Sequence, residues 1–403
     1  MKQLRLIRAF FSRRKLSSLF IILVAALTLY MTVTASAQIF DQYYNYRILK
    51  SCKLKRSYIM GVMLYDSIYQ QGLDAIQKKT ENVYEKISDS EIVEKVYTVR
   101  TIGDYMYEDL GFGITIYEPD FADAFPLMKK YGVDFSAYPD GIIVSHEVFS
   151  DIKPGDVFEM TSVKTGDSIS FICAGKLKYP YKHLVFNGAG TIMQADLFFQ
   201  NNTGMIMLAD DKRLEEIKGQ GRVLLNMDIL FTVREDTTEE QIGSFMTELR
   251  KDGYAESMET ILENSRKATV ESIKAYLLLP LFLVIASLIA YFSIVIINVF
   301  KKQREMAVSY LCGATKKDLY MTMLGYCLAV SVIPAVICAV WILMGPLWQY
   351  EWKELPMVST FVVTSDQLWV VLGFFILTVI VSFAAVLISM GRKSPVEYLR
   401  GLE

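Results

Sequence analysis

Four long apolar runs constrain this chain more than any other feature of its sequence. They cover residues 19–37, 275–300, 321–344 and 368–390. Each provides roughly the 20 apolar residues that an α-helix needs to cross a hydrocarbon core of about 30 Å. The first run follows basic residues and ends in "ASA", which is also the form of a cleavable signal peptide. Because it is longer than the usual apolar region of such a peptide and three more runs follow, we interpret it as an uncleaved anchor.

The composition divides the chain between bilayer and water. Of its 403 residues, 52% are hydrophobic, yet 21% are charged. The charges concentrate outside the apolar runs, above all in the segment 39–272, where Asp and Glu outnumber Lys and Arg. That segment is long enough to build its own hydrophobic core, and we expect two lobes in it.

The basic residues predict the orientation in the membrane. Lys and Arg cluster before the first apolar run, between the second and third runs, and after the fourth, whereas loop 345–367 carries only Lys353. Cytoplasmic loops are enriched in Lys and Arg. We therefore predict a multi-pass cell-membrane protein with both termini cytoplasmic and the segment 39–272 outside. Residues 1–17 fit an amphipathic interfacial helix and, equally, a simple basic flank.

The outer segment mixes strand and helix patterns. "GITIYEP", "GDVFEMTSV", "SISFICAGK" and "MDILFTVRED" read as strands from their alternating or buried patterns. In "TTEEQIGSFMTELRKDGY", Thr237 or Thr238 would cap a helix whose apolar stripe is Ile242, Phe245 and Leu249. Residues 257–272 read as a helical stalk that continues into the second apolar run. These patterns predict an α+β domain.

The sequence gives little support for a metal site or for a catalytic nucleophile. The chain has only two histidines, His146 and His183, and no CxxC spacing. Cys52 and Cys173 lie in the outer segment, where a disulfide and two separate thiols are equally compatible with the sequence. No GxxxxGK[ST] loop, GxSxG elbow or HExxH motif occurs. We therefore expect a chain that is not an enzyme and carries no cofactor or metal of its own.

The basic segment "KKQREMAVSYLCGATKKDLY" between the second and third runs carries most of the functional signal. Helical spacing places Met306, Tyr310 and Gly313 on one face. Ala307, Leu311 and Ala314 lie beside them. Gly313 is placed to end the helix, and Thr315 to cap the next helix with Asp318. A plain basic hairpin between two spans is the alternative.

Three motifs resemble the permeases of the MacB/FtsX-like branch of ABC transporters, the mechanotransmission or type VII family. They are "REMAVSYLCGAT" at 304–315, "DGIIVSHEVFSDIKPGDVFEM" at 140–160 and "KSPVEYLRG" at 393–401. Each motif is short, but their order and spacing cover nearly the whole chain. The resemblance implies four transmembrane helices with a MacB-like periplasmic core domain, of α+β class, inserted between the first and second.

The resemblance also implies a mechanism. The short helix would couple to a cytoplasmic ABC ATPase that holds ATP and Mg, because this chain has no fused ATPase. A second permease copy or paralogue would complete a dimer, and an extracytoplasmic adaptor or cell-wall hydrolase is a further possible partner. No nucleic acid is expected. The ATPase-coupling residues would be Arg304, Glu305, Met306, Ala307, Tyr310, Leu311, Gly313 and Ala314.

Three functions follow from this reading. The first is ATP-driven export of, or resistance to, peptides, lipoproteins or amphiphilic drugs. The second is FtsX-like regulation of a cell-wall hydrolase without transport, and the third is a sensor that needs no ATPase. The predicted domains are an interfacial helix 1–17, transmembrane helices 18–38, 273–300, 319–344 and 368–391, an outer domain 39–272, a coupling helix 301–318, an outer loop 345–367 and a cytoplasmic tail 392–403.

Overall fold

The computed structural model describes residues 15–64, 68, 70–107, 110–145, 149–178, 182–186, 195–200, 204–219, 222–301, 303–344 and 363–391. The chain forms two compact units, which we call the membrane unit (1–40 and 272–403) and the outer unit (41–271). The predicted interfacial helix before residue 15, His146, and the tail 392–403 lie outside the described residues.

The helices, in chain order, are α1 (Lys15–Lys50), α2 (Leu73–Ser88), α3 (Phe121–Ala124), α4 (Asp211–Lys218), α5 (Glu239–Leu249), α6 (Met258–Lys301), α7 (Gln303–Leu311), α8 (Lys316–Leu343) and α9 (Leu368–Gly391). The strands are β1 (Ser57–Val62), β2 (Val93–Tyr97), β3 (Val99–Tyr107), β4 (Leu110–Tyr117), β5 (Ile142–Ser145), β6 (Val157–Ser162), β7 (Ser168–Leu177), β8 (His183–Leu184), β9 (Phe199–Gln200), β10 (Met205–Leu208), β11 (Val223–Leu225), β12 (Asp228–Val233) and β13 (Gly253–Ser257). Short 3-10 turns occupy Pro126–Tyr131, Ala195–Phe198 and Ser365–Gln367.

Four helices of the described chain are long and apolar enough to cross a membrane, at Ile22–Lys50, Met258–Lys301, Lys316–Leu343 and Ser365–Met390. They overlap the four apolar runs predicted to span the bilayer. α6 has 44 residues and is therefore about 66 Å long at 1.5 Å per residue. This exceeds a 30 Å hydrocarbon core, so α6 supplies both the predicted stalk and the second span. It continues through Pro280 without a break.

The membrane unit packs apolar side chains between its helices and leaves other apolar side chains facing outward. One cluster includes Val299, Met306, Met323 and Met390. Outward-facing residues such as Leu278 are 70% exposed, as expected of helices solvated by lipid rather than water. Between the helices, the Tyr291 hydroxyl donates to the Cys327 carbonyl at 2.8 Å.

The larger sheet of the outer unit has seven strands in the order β11-β3-β4-β10-β5-β7-β6. β3 also pairs with β6, through Tyr105 with Ser162 and Met106 with Thr161, so six of the strands close into a small barrel. Barrel closure removes the exposed sheet edges that would otherwise pair with other chains. The barrel is filled by apolar side chains from alternate strand positions, including Ile114, Val144 and Phe158.

A second sheet has four antiparallel strands in the order β13-β1-β12-β2. Helices α2 and α5 cover one face, where Val83 and Met246 join Phe231 in a single core. The other face contributes Ile59 and Leu230 to a larger cluster that also receives residues of α1 and α6. The outer unit therefore has the two-lobe α+β organisation expected from the sequence.

The local predictions in this unit are confirmed in detail. The four sequence stretches read as strands lie in β4, β6, β7 and β12. Thr238 caps α5 and forms a capping box with Gln241. The predicted stripe omitted Met246, which is buried with Ile242 and Leu249. Cys52 and Cys173 are free thiols rather than a disulfide.

Candidate functional site

The candidate site is the short connection between α6 and α8 in the membrane unit. α6 ends at Lys301, α7 covers Gln303–Leu311, and α8 begins at Lys316. The sequence predicted a short helix at this position, and α7 confirms it. Lys302 and the side chains of Arg304 and Tyr310 lie outside the described residues.

Gly313 ends α7 in the way the sequence predicted. Its φ is +90°, a conformation that glycine adopts without the steric cost that a Cβ brings. The Ala314 amide donates to the Ser309 carbonyl at 3.0 Å, and the Cys312 amide to the Val308 carbonyl at 2.9 Å. The Ala314 bond is the 6→1 bond of a Schellman motif, which satisfies a carbonyl at the end of the helix.

Thr315 then starts α8 through a capping box with Asp318. The Thr315 hydroxyl accepts from the Asp318 amide at 3.3 Å, while the Asp318 carboxylate accepts from the Thr315 amide at 2.9 Å. The two helices are thus joined by a turn whose backbone groups are satisfied on both sides. A connection of this kind is well defined rather than a loose loop.

Two of the predicted coupling residues face inward. Met306 and Ala307 are 4% and 3% exposed, and Met306 packs in the same cluster as Val299 and Met323. The reason is that α7 lies against the neighbouring membrane helices of its own chain, a packing that spacing alone does not predict. Met306 therefore anchors α7 and presents no free surface to a partner.

The outward face of α7 is formed by Glu305, Val308, Leu311 and Cys312, all of which are exposed. Val308 is 53% exposed and Leu311 is 70% exposed. Of the other predicted residues, Gly313 is exposed and Ala314 is half-buried. Val308 was missed from the sequence, although its spacing of three and four residues from Glu305, Leu311 and Cys312 places it on their face.

Exposed basic side chains lie before and after Val308 and Leu311 in the sequence. Lys301 precedes α7, and Lys316 and Lys317 follow the Gly313 turn, all three exposed. We name the exposed set Glu305, Val308, Leu311, Cys312 and Gly313 the coupling face. It combines exposed apolar side chains with an exposed carboxylate, and exposed lysines precede and follow it in the chain. Among the described residues, no group of three or more His, Cys, Asp and Glu side chains could hold a metal ion.

Comparison with known proteins places this site within a recognised domain. Residues 277–395 match the family model described as FtsX-like permease C-terminal. The match contains α7, the Gly313 turn and α8, together with most of the two flanking helices. It confirms the resemblance to FtsX-like permeases that the sequence motifs predicted.

Two solved structures are similar to the chain over about half its length. One is the periplasmic region of MacB from Actinobacillus actinomycetemcomitans, with 11% identity and a TM-score of 0.31, covering 55% of this chain and 95% of that one. The other is the extracellular domain of the noncanonic ABC-type transporter YknZ from Gram-positive bacteria, with 13% identity and a TM-score of 0.27, covering 50% of this chain and 98% of that one. Among proteins with curated descriptions, none matches this sequence.

Proposed function

We propose that this chain is an FtsX-like permease, the membrane subunit of an ABC transporter whose ATP hydrolysis takes place in a separate cytoplasmic ATPase. The observation that carries the proposal is the coupling face. Leu311 is 70% exposed at the end of a short helix whose opposite side is anchored by the buried Met306 and Ala307. An apolar side chain held out from a fixed helix is suited to insert into a pocket of a partner.

The mechanical part of the proposal rests on stiffness. α7 is fixed at its end by the Gly313 turn and on its inner side by the membrane unit, so a push on Leu311 moves α7 as a body. α6 adjoins α7 in the chain and is one helix from Lys301 back to Met258. A continuous helix transmits displacement that a flexible linker would absorb. ATP-driven closure of two ATPases would therefore reach the outer unit through α6.

The cargo would be handled outside the membrane or at its outer leaflet. Residues 281–297 and 325–344 contain no Asp, Glu, Lys or Arg, and ionisable residues within spans are the usual sign of an ion or proton path. We propose peptides, lipoproteins or amphiphilic drugs as cargo, with export or resistance as the outcome. Two permeases, identical or paralogous, would work with two ATPases, which supply ATP and Mg.

A cross-link from Cys312 tests the proposal. Cys312 is exposed on the coupling face, whereas burial raises the pKa of the Cys52 and Cys173 thiols. Because the thiolate is the reactive form, a thiol-directed photo-cross-linker will label Cys312 preferentially in membranes. The expected product is this chain joined to an ATP-binding subunit, and it disappears in Cys312→Ser. Cross-links only to lipid or to unrelated proteins contradict the proposal.

A further inference from the structure

The outer unit contains an open cleft of about 690 Å³. Five of its elements line it: the end of α1, the start of β1, one face of α5, the end of β13 and the start of α6. The volume lies within the roughly 300–1,000 Å³ that small-ligand sites usually have. The cleft is therefore of small-molecule size, and the chemistry of its lining indicates which molecule fits.

Apolar side chains contribute a large part of the lining. Ile242, Met246 and Met258 line the cleft and are otherwise buried in the outer unit. Tyr58 adds an aromatic ring, which stacks on Phe231 with a centroid distance of 5.8 Å. These groups offer dispersion contacts and apolar burial to the body of a ligand.

Gly243 keeps part of the cleft empty. It lies in the middle of α5, where glycine costs about 1 kcal/mol relative to alanine. No heavy atom lies within 4 Å of the position that its Cβ would take, and its φ is not in the left-handed region. Neither packing nor backbone conformation therefore calls for glycine here. The position does keep open the space above α5 inside the cleft.

The two arginines of the lining are already engaged within the chain. Arg56 donates to the carbonyls of Arg234, Glu235 and Thr237. Arg250 donates to the Ala255 carbonyl and to the Glu256 carboxylate, the latter at 2.7 Å. The Lys50 ammonium lies 5.7 Å from the centre of the Tyr46 ring.

Two carboxylates remain accessible at the cleft. Glu239 and Glu259 line it and are exposed; Glu239 reaches only Arg56, at 3.6 Å. Both carboxylates, of Glu239 and Glu259, influence the pKa of the Tyr58 phenol. Burial raises the pKa of Tyr58, Glu239 raises it further by more than Arg56 lowers it, and Glu259 adds to the increase. Of the three charged side chains that act on the Tyr58 phenol, Glu239 and Glu259 are acidic and Arg56 is basic.

We propose that this cleft binds an amphiphilic organic cation of small-molecule size. The apolar body would lie over Gly243, Ile242 and Met246, and the cationic group would lie beside Glu239 and Glu259. An aromatic ring next to carboxylates is a favourable environment for an organic cation. The site involves no residue of the coupling face. A failure of ligand binding at the cleft would therefore not contradict the proposed ATPase contact, and a failure of the ATPase contact would not contradict ligand binding.

The test uses the full chain in nanodiscs of zwitterionic lipid, with rhodamine 6G as the cationic probe and fluorescein as an anionic dye of similar size. Anisotropy is measured against empty nanodiscs to subtract partition into lipid. We expect saturable binding of rhodamine 6G and none of fluorescein. Equal binding of the two dyes, or no rhodamine 6G binding above empty nanodiscs, overturns the proposal.

Two substitutions at one position separate occlusion from loss of fold. Gly243→Phe fills the cleft and should weaken rhodamine 6G binding by about tenfold or more, the scale of a steric change in an apolar pocket. Gly243→Ala should raise the melting temperature by about 2–4 °C, because alanine favours the helix, and it shows that a side chain at this position is compatible with the fold. Unchanged binding in Gly243→Phe contradicts the assignment.

The carboxylates are tested without altering the shape of the cleft. The double variant Glu239→Gln with Glu259→Gln should weaken rhodamine 6G binding by about fivefold, since exposed charge pairs are each worth less than about 1 kcal/mol. The difference from wild type should shrink in high salt. Wild-type affinity in this variant refutes the role of the two carboxylates.

Discussion

The Nζ atom of Lys182 lies 2.5 Å from Oδ1 of Asp41, on the last third of α1. The same ammonium donates to Oδ1 of Asn45 at 2.6 Å, one helical turn further along. The Lys182 side chain has no exposed surface, and that of Asp41 is 21% exposed. This ion pair fixes the end of α1 within the outer unit. If α1 moves during a transport cycle, this contact would carry the movement into the outer unit.

Removing one partner of this pair should destabilise the outer unit. Breaking a buried ion pair leaves an uncompensated charge and costs about 3–5 kcal/mol. We expect Lys182→Met or Asp41→Asn to lower the melting temperature by roughly 6–20 °C, measured on the purified chain in detergent. The double variant should lose less than the sum of the two, because no unpaired charge remains.

The exposed pair of Lys218 and Glu215 provides the matched control. Their side chains are 47% and 69% exposed, and surface pairs contribute about 0–1 kcal/mol. Lys218→Met should therefore change the melting temperature by no more than about 4 °C. Equal effects of Lys182→Met and Lys218→Met would show that the buried pair has no special role.

Two glycine-to-alanine changes should act in opposite directions. At Gly313, with φ of +90°, an alanine is forced into the left-handed region at a cost of about 1–2 kcal/mol. At Gly243 the same change favours the helix. Neither position has a heavy atom within 4 Å of the added Cβ. The backbone conformation at each position therefore determines how the substitution changes the free energy of unfolding. Thermal unfolding should show destabilisation by Gly313→Ala and stabilisation by Gly243→Ala.

A finding that Gly313→Ala is neutral would mean that the turn after α7 relaxes easily. In that case α7 would lack the fixed end that the proposed coupling needs. Gly313→Asn is a useful intermediate, because asparagine tolerates the left-handed region better than alanine does. The expected order of stability is Gly, then Asn, then Ala.

Acid should destabilise the outer unit through His183. Burial lowers the pKa of His183 to about 4, against an ordinary value of about 6.5. Between these values the unfolded chain binds a proton that the folded chain does not, so stability falls as the pH drops from 6.5 to 4 and is unaffected above 6.5. The full loss is roughly 3 kcal/mol.

His183→Gln removes this titration and keeps a polar side chain near the Thr115 hydroxyl, which lies 3.5 Å from Nε2 of His183. The free energy of unfolding is measured for both proteins from pH 7.5 to pH 4. The variant should lose less stability on acidification than wild type. Parallel curves would show that His183 is protonated in the folded chain at its ordinary pKa.

The capping residues were predictable from the sequence because caps depend on neighbours within a few positions. Thr238 with Gln241 and Thr315 with Asp318 are of this kind, and so is the glycine turn at Gly313. Burial on α7 was not predictable in the same way. It depends on how α7 packs against other membrane helices, and this packing turned Met306 inward and left Val308 outward.

Non-local pairing limited the prediction of the outer unit. The strand β6 was predicted from its alternation, whereas β3 was not. Their pairing through Tyr105 and Ser162 joins residues far apart in the sequence, and no local pattern indicates it. The cleft was not predictable from local patterns either, because elements that are far apart in the sequence, among them α1, β1, α5 and α6, form it together. The one local signal of the cleft is Gly243, because a glycine is unusual in the interior of a predicted helix.

The most direct test of the central claim is co-purification of an ATPase with Leu311→Asp. Leu311 is on the coupling face and 70% exposed, so the substitution should spare the fold. Val163→Asp is the control, because Val163 is 59% exposed and belongs to the outer unit. We predict that wild type and Val163→Asp bring down an ATP-hydrolysing subunit, while Leu311→Asp retains about a tenth of it or less. If Leu311→Asp retains the ATPase as fully as Val163→Asp does, the coupling face is not the surface through which this chain binds an ATPase.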